Sequence, residues 1–246
     1  MERGDLISAA KIIKKAKITV ALTGAGISTE SGIPDFRSKD GLWSKFNINE
    51  YGYIDNIINN PGKVWSMLRI LINDLKKAEP NAGHIALAKM ESMGYLHAII
   101  TQNVDSLHQK AGSKNVIEFH GNFREAVCLK CGKIYPIDYA LQQEIPRCEC
   151  GGLLKPNATF FGEPIPKDAL IKSFSYAENC DVMLVVGTSA MVYPAAQLPE
   201  MAKRNGAVII EINKEPSMIT GIADYSFYGK AGEILPKIAN ILSKEL

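Results

Sequence analysis

The sequence predicts an α/β protein built on a parallel sheet with helices on both faces. Two observations carry that expectation. Short, near-continuously apolar runs, the pattern of strands buried on both sides, alternate with helical segments. Each run also ends in small or polar residues, and ligands of such sheets bind at the carboxyl ends of the strands. A length of 246 residues, with 46% hydrophobic and 22% charged residues, allows a substantial core and ordinary globular folding.

Residues 5–17 read as an amphipathic helix, with Leu6, Ala10 and Ile13 on its apolar face. Residues 18–22 form the first strand and feed Gly24-Ala25-Gly26, then small residues through Ser28, Thr29, Ser31 and Gly32. A strand ending in Gly-x-Gly brings backbone close to a pyrophosphate and aims free amide N–H groups at it. Gly32 comes too late to complete G-x-G-x-x-G, so a dinucleotide is favoured without its ordinary fingerprint, and a plain Gly/Ser loop is the alternative. Gly32-Ile33-Pro34-Asp35-Phe36-Arg37 breaks any helix and sets an aromatic face beside a guanidinium.

Residues 39–79 read as a polar, Asn-rich helical excursion beside the glycine loop, residues 80–84 as a turn, and residues up to 93 as a further helix. A second strand, residues 97–100, runs into Gln102-Asn103-Val104-Asp105, and a third, residues 116–119, ends at His120-Gly121. The fourth, residues 181–186, lands on Gly187-Thr188-Ser189, and the fifth, residues 208–212, on Asn213. From Glu233 onward Ile234, Leu235, Ile238, Ile241 and Leu242 have helical spacing, with Pro236 expected in the first turn.

Net charge is +2, which makes no broad electrostatic claim on nucleic acid or membrane. The first residues mix charges with apolar positions, unlike a signal peptide, and no apolar run reaches membrane-spanning length, so the cytoplasm is the expected compartment. Four of the five cysteines cluster as Cys128-x-x-Cys131-Gly132 and, sixteen residues on, Cys148-x-Cys150-Gly151. Without a secretion signal that clustering favours a four-cysteine zinc, closed and therefore structural, over a redox pair or metal-free thiols. Cys180 reads as a small buried residue.

Of the four histidines, His84 and His97 are most simply structural, in a turn and at a strand start, and His108 on a helix is ambiguous. His120, at a strand end and followed by glycine, is a candidate general base, with a satisfied structural histidine as the alternative. Asn103 and Asp105 gain weight from sharing the same sheet edge. No G-x-S-x-G, H-E-x-x-H or G-x-x-x-x-G-K-[ST] is present.

Taken in order, Gly24-Ala-Gly-Ile-Ser28, Gly32-Ile-Pro-Asp-Phe-Arg37, Thr101-Gln-Asn-Val-Asp105, His120-Gly121, the paired cysteines, Phe161-Gly-Glu163, Gly187-Thr-Ser189 and Asn213 resemble the sirtuins, NAD-dependent protein deacylases. The resemblance covers nearly the whole chain. It implies a Rossmann-like large domain (residues 1–40, 84–122 and 160–246) and a small domain made of a helical module (41–83) and a zinc-ribbon module (123–159). NAD and an acyl-lysine peptide would meet in the cleft between them, with Gly24, Ala25, Gly26, Thr29, Phe36 and Arg37 in the cofactor loop. Gln102, Asn103, Val104 and Asp105 would hold the nicotinamide ribose and carboxamide. Gly187, Thr188, Ser189, Asn213, Lys230 and Ala231 would line the adenosine end, and Cys128, Cys131, Cys148 and Cys150 would hold one structural zinc.

The implied reaction is attack of the acyl oxygen on the nicotinamide ribose, release of nicotinamide, and transfer of the acyl group to give 2′-O-acyl-ADP-ribose. His120 would be the base and Asn103 its catalytic companion. The partner expected is an acyl-lysine protein, with no nucleic acid or membrane, and the chain a monomer. Thr159, where relatives carry valine, and Phe161 are expected against the acyl-lysine. Leu68 and Leu71 stand where succinyl- and malonyl-preferring relatives carry tyrosine and arginine, so a neutral acyl group is expected. The alternatives are a mono-ADP-ribosyltransferase or NAD glycohydrolase in the same cleft and, in another class, a non-catalytic zinc-ribbon scaffold. A dehydrogenase is disfavoured by the missing third glycine.

Overall fold

The structure, a computed structural model, describes residues 5–35 and 41–244. Its main sheet is six-stranded and wholly parallel, formed by β1 (Thr19–Thr23), β2 (Ala98–Thr101), β3 (Val116–Glu118), β7 (Val182–Val186), β8 (Val208–Asn213) and β9 (Tyr225–Tyr228) in the order β3-β2-β1-β7-β8-β9. A second, antiparallel sheet has the order β5-β4-β6, with β4 at Gly121–Cys128, β5 at Ile134–Pro136 and β6 at Leu154–Ala158.

Alternate residues of the large sheet enter different cores. Ala21, Ile99, Leu184, Ile210 and Ile212 pack with helices Leu6–Lys15, Ala82–Ser92 and Ala231–Leu242. Val20, Leu22, Ile100, Met183, Val185 and Ile209 face helices Lys167–Asn179 and Gln197–Arg204 on the other side. This period of two explains why the strands read as unbroken apolar runs. Counting only the parallel strands, their spatial order is 3-2-1-4-5-6, that of doubly wound dinucleotide-binding sheets. The order reverses between β1 and β7, so the loops after these two strands open the switch-point crevice.

A third core joins helix Pro61–Lys77 to the small sheet. Trp65 is fully buried and its Nε1 donates to the Leu154 carbonyl at 3.0 Å, while Leu68 and Ile72 pack with Ala126, Cys128, Tyr135 and Leu154. Short helices at Leu42–Lys45, Ile48–Tyr51 and Ile54–Asn59 precede it, matching the helical excursion read from the sequence.

Three expectations need correction. The five strands expected are six: β9, Tyr225-Ser-Phe-Tyr228, is a four-residue edge strand too short and mixed to stand out. His84 is in the first turn of helix Ala82–Ser92 rather than in a turn before it, because Asn81 caps the helix by accepting from the Gly83 N–H at 2.9 Å. The last helix begins at Ala231, so Pro236 is in its interior rather than its first turn. Among the described residues no helix is long and apolar enough to cross a membrane.

Candidate functional site

A cavity of about 1110 Å3 opens along the carboxyl ends of β1, β2, β7 and β8 and is closed from the other side by helix Pro61–Lys77 and the loop after β6. It is lined by Gly24, Ala25, Gly26, Thr29, Gln102, Asn103, Val104, His120, Thr159, Phe161, Gly187, Thr188, Ser189, Asn213 and Ala231, all singled out from the sequence. Asp105 lies behind this wall, against a small adjoining pocket that it shares with Ser28 and Asn103. Lys230 does not line the cavity; its ammonium faces Glu233 at 3.6 Å on the surface. Phe36 and Arg37 fall outside the described residues.

The glycines act by closeness. A Cβ on Gly26 would lie 2.7 Å from the Gly187 Cα, and one on Gly187, at φ +60°, would lie 2.3 Å from the Ile27 nitrogen. Two chain segments therefore cross backbone to backbone at the switch point. The sequence reading expected both glycine amides to face a ligand. Instead the Gly24 N–H donates to the Val186 carbonyl at 3.0 Å and the Gly26 N–H to the Gly187 carbonyl at 2.8 Å. The motif holds the two strand ends together and leaves only small residues facing the cavity.

Behind it lies a buried polar chain. Asn103 Nδ2 donates to the Gly24 carbonyl at 3.2 Å and to Ser28 Oγ at 3.1 Å; Ser28 Oγ donates to Asp105 Oδ2 at 2.7 Å. Asp105 Oδ1 also takes the Leu107 N–H at 2.9 Å. With both amide hydrogens committed, Asn103 presents Oδ1, buried and without a partner among the described residues. An acceptor left unmet beside an open cavity suits a ligand's N–H or hydroxyl. Burial raises the Asp105 carboxyl above its ordinary value, opposed by the Leu107 N–H and the Ser28 hydroxyl.

His84 closes the chain. Its Nδ1 takes the Asn81 N–H at 3.3 Å, so its proton sits on Nε2, 3.4 Å from Ser28 Oγ. The His108 ring lies edge-on at 4.9 Å, with its Nε2 on Thr23 Oγ1 at 2.9 Å. Burial pushes His84 down to about 4 and holds His108 well below the ordinary imidazole value, so the pair is neutral at pH 7. Sequence reasoning missed this role for Ser28, His84 and His108, because residues 56 and 85 positions apart must meet to form it.

His120 is set differently. Its Nδ1 lies 3.0 Å from the Gln102 carbonyl, which can only accept, so Nδ1 carries the proton and Nε2 keeps its lone pair. Burial lowers its pKa below the ordinary value, the bond to Gln102 working the other way. The result is a neutral imidazole with one basic nitrogen beside the cavity, the state a general base requires. Gln102 is itself held by a bond from Nε2 to Thr188 Oγ1 at 3.0 Å.

On the opposite wall, Met67, Leu68 and Leu71 of helix Pro61–Lys77 line the cavity with Ile33, Phe123 and Phe160. The loop carrying Thr159 and Phe161 is braced internally. Lys155 Nζ, buried, meets Glu163 Oε2 at 3.1 Å and the Ala158 carbonyl at 2.6 Å, and the Phe160 N–H donates to the same carboxylate at 2.9 Å. Phe161 bridges to the helical segment through N–H to the Gly52 carbonyl and C=O to the Ile54 N–H, each 3.0 Å.

The four cysteine sulfurs Cys128, Cys131, Cys148 and Cys150 all lie within 4.8 Å of one another. Separations of 3.6 Å (Cys128–Cys150 and Cys131–Cys148) and 3.5 Å (Cys131–Cys150) are near the roughly 3.8 Å edge of a tetrahedral ZnS4 shell with about 2.3 Å Zn–S bonds. A Cβ on Gly152 would lie 2.7 Å from Cys128 Sγ, so the turn has no room for a side chain there. The thiolate set fits one four-coordinate zinc with no position left for water or substrate.

The Sir2 family model matches residues 24–194. The chain is 49% identical over 235 residues, 93% of its length and 94% of the relative's, to the NAD-dependent protein deacylase of Pyrococcus furiosus. It is 48% identical over 243 residues, 96% and 94% of the two chains, to the NAD-dependent protein deacetylase of Thermodesulfovibrio yellowstonii. Among solved structures it superposes with a TM-score of 0.93 on a mutant Sir2 homologue in complex with ADP-ribose, at 43% identity over 96% of this chain and 95% of that one. A Sir2 complex with a p53 peptide and NAD+ gives a TM-score of 0.89 at 36% identity, covering 96% and 98% of the chains.

Proposed function

The chain belongs to the Sir2 family, and we propose that its cavity brings NAD and an acyl-lysine side chain together at His120. The protein is an NAD-dependent protein deacylase. The observation that carries the assignment of roles is the His120 tautomer: the Gln102 carbonyl fixes the proton on Nδ1 and leaves Nε2 basic at the cavity.

When bound, NAD supplies the reactive sugar carbon and its leaving nicotinamide, which is why no protein nucleophile is needed. Gly24, Gly26 and Gly187 give the backbone its close approach to the diphosphate, with Ala25 and Thr29 beside them. Gln102, Asn103 and Val104 hold the nicotinamide ribose, the unmet Asn103 Oδ1 taking a donor from it, and Asp105 orients Asn103 through Ser28. Thr188, Ser189, Asn213 and Ala231 form the adenosine end. His120 Nε2 takes a proton from a ribose hydroxyl so that its oxygen can accept the acyl group. The four cysteines would hold one structural zinc, with Cys128 and Cys148 belonging to the core that seats helix Pro61–Lys77. The division into a sheet domain and a two-module small domain, at the boundaries given above, belongs to the same proposal.

Thr159 and Phe161 flank the acyl-lysine, and its acyl group faces Met67, Leu68 and Leu71. Among the described residues lining the cavity the only lysine or arginine is Lys214, whose Nζ lies 3.1 Å from Thr29 Oγ1 on the strand-end wall. A neutral acyl group, acetyl or longer, therefore suits this wall better than succinyl or malonyl.

The test is mass spectrometry of an acetyl-lysine peptide incubated with the protein, with and without NAD. NAD-dependent loss of acetyl together with nicotinamide and O-acetyl-ADP-ribose is expected. NAD consumption with the peptide still acetylated would favour glycohydrolase or ADP-ribosyl transfer instead.

A further inference from the structure

We propose that Glu211, a carboxylate buried inside the large sheet, is the positioning residue that sets the shape of the cavity's adenosine end and hence its affinity for the nucleotide. The inference rests on the assignment of Thr188 and Asn213 to that end.

Glu211 lies on β8, in register between Val185 of β7 and Ser226 of β9, and is fully buried. Its neighbours on the strand, Ile210 and Ile212, are apolar. Burying a carboxylate is far more costly than burying another isoleucine, and interior carboxylates are ordinarily matched to a cation. Among the described residues no lysine, arginine or histidine forms an ion pair with Glu211. Neutral donors surround it instead. Oε1 accepts from Asn213 Nδ2 at 3.1 Å, from the Ser217 N–H at 3.2 Å and from Ser217 Oγ at 2.6 Å. Thr220 Oγ1 donates across both oxygens, at 3.0 and 2.8 Å, and Ser226 Oγ reaches Oε2 at 3.1 Å.

These donors belong to separate segments, and two of them are cavity walls. Asn213 and Ser217 line the cavity, as do Lys214, Glu215 and Pro216 between them. Asn213 also reaches across the switch-point side: its Oδ1 takes the Thr188 N–H at 3.0 Å and its Nδ2 donates to the Thr188 carbonyl at 3.2 Å. By taking the amide hydrogen that the Thr188 carbonyl leaves, Glu211 holds the Asn213 carboxamide in the orientation its two bonds to Thr188 require. By taking the Ser217 N–H and hydroxyl, it pins the loop that leaves β8. One buried acceptor thus couples the loop after β7, through Asn213, to the loop after β8, in addition to the direct bond from the Met218 N–H to the Ser189 carbonyl at 3.3 Å. Glu211 does not line the cavity; it acts through Asn213 and Ser217.

The experiment compares wild type with Glu211→Gln and Ser217→Ala, by ADP-ribose titration and by steady-state kinetics with NAD and an acetyl-lysine peptide. Glu211→Gln keeps the volume but turns one acceptor into a donor facing other donors. The expected result is a tenfold or greater rise in the Kd for ADP-ribose and the KM for NAD. The peptide KM and the kcat at saturating NAD should stay within twofold. Ser217→Ala, which removes one donor and leaves the carboxylate, should shift the same constants by less. An unchanged ADP-ribose Kd in Glu211→Gln would overturn the proposal. So would parallel losses in kcat and both KM values, which mark a general structural role. Should Glu211→Gln fail to fold, Ser217→Ala with unchanged ADP-ribose and NAD constants would overturn it alone. Failure of the wild-type chain itself to bind ADP-ribose would overturn the underlying reading of the cavity as well.

Discussion

The two walls of the cavity are made of different material. At the strand ends the wall is backbone: Gly24 and Gly26 crossing Gly187, with the Gly24 and Gly26 N–H groups on the Val186 and Gly187 carbonyls and a buried polar chain behind them. Facing it, the wall is side chain, the apolar ends of Met67, Leu68 and Leu71 on a helix seated by Trp65. A backbone wall fits one ligand shape and tolerates almost no substitution. An apolar side-chain wall can be resized without disturbing what lies opposite. The division suits a reaction in which one reactant never changes and the other varies in its acyl group.

The sharpest way to break this contrast is at Gly187. An alanine there would place its Cβ against the Ile27 nitrogen at 2.3 Å, in a conformation that disfavours L residues by about 1–2 kcal/mol even without the clash. Gly187→Ala should abolish ADP-ribose binding in calorimetry. Wild-type affinity would show that the crossing is not what shapes the nucleotide wall.

At the seam between the walls, His120→Ala should reduce deacylation by about 100- to 10,000-fold while the peptide still binds. Because burial lowers the His120 pKa, the base is already neutral at pH 7. Wild-type kcat/KM should be flat at neutral pH and fall on acidification only below the ordinary imidazole value. A fall beginning above pH 7 would contradict the tautomer and burial described.

On the side-chain wall, Trp65→Ala should destabilise the fold by about 3–5 kcal/mol in urea unfolding, since it empties the third core and orphans the Leu154 carbonyl. A loss below about 1 kcal/mol would mean the helix is seated by other contacts. Smaller still in its effect on the molecule, Leu71→Arg should leave the KM for NAD within twofold while shifting preference from acetyl- to succinyl-lysine peptides several-fold. An equal change for both peptides would place the acyl group elsewhere.

The same contrast governs what could be read without a structure. The cysteine set was legible because its ligands lie within 23 residues and zinc imposes a spacing. The strands were legible because burial on both faces leaves unbroken apolar runs, and only the short edge strand at Tyr225–Tyr228 escaped. His120, Asn103 and the small residues at the strand ends could be gathered because topology places strand ends together. What stayed hidden depends on contacts between distant segments. Glu211 looks like a stray charge in a strand until Ser217, Thr220 and Ser226 fold around it. His84 looks like a turn histidine until Ser28 and His108 meet it. The glycine amides read as anion donors until Val186 and Gly187 claim them.

Whether His120 meets the ribose would be seen in a crystal structure of the protein with an acetyl-lysine peptide and a slowly reacting NAD analogue. His120 Nε2 should lie within about 2.6–3.2 Å of a nicotinamide-ribose hydroxyl, or one water away, with Nδ1 still on the Gln102 carbonyl. The acetyl group should lie against Leu68 and Leu71. A nucleotide bound away from the Gly24–Gly187 crossing, or an Nε2 turned from the ribose, would contradict this geometry.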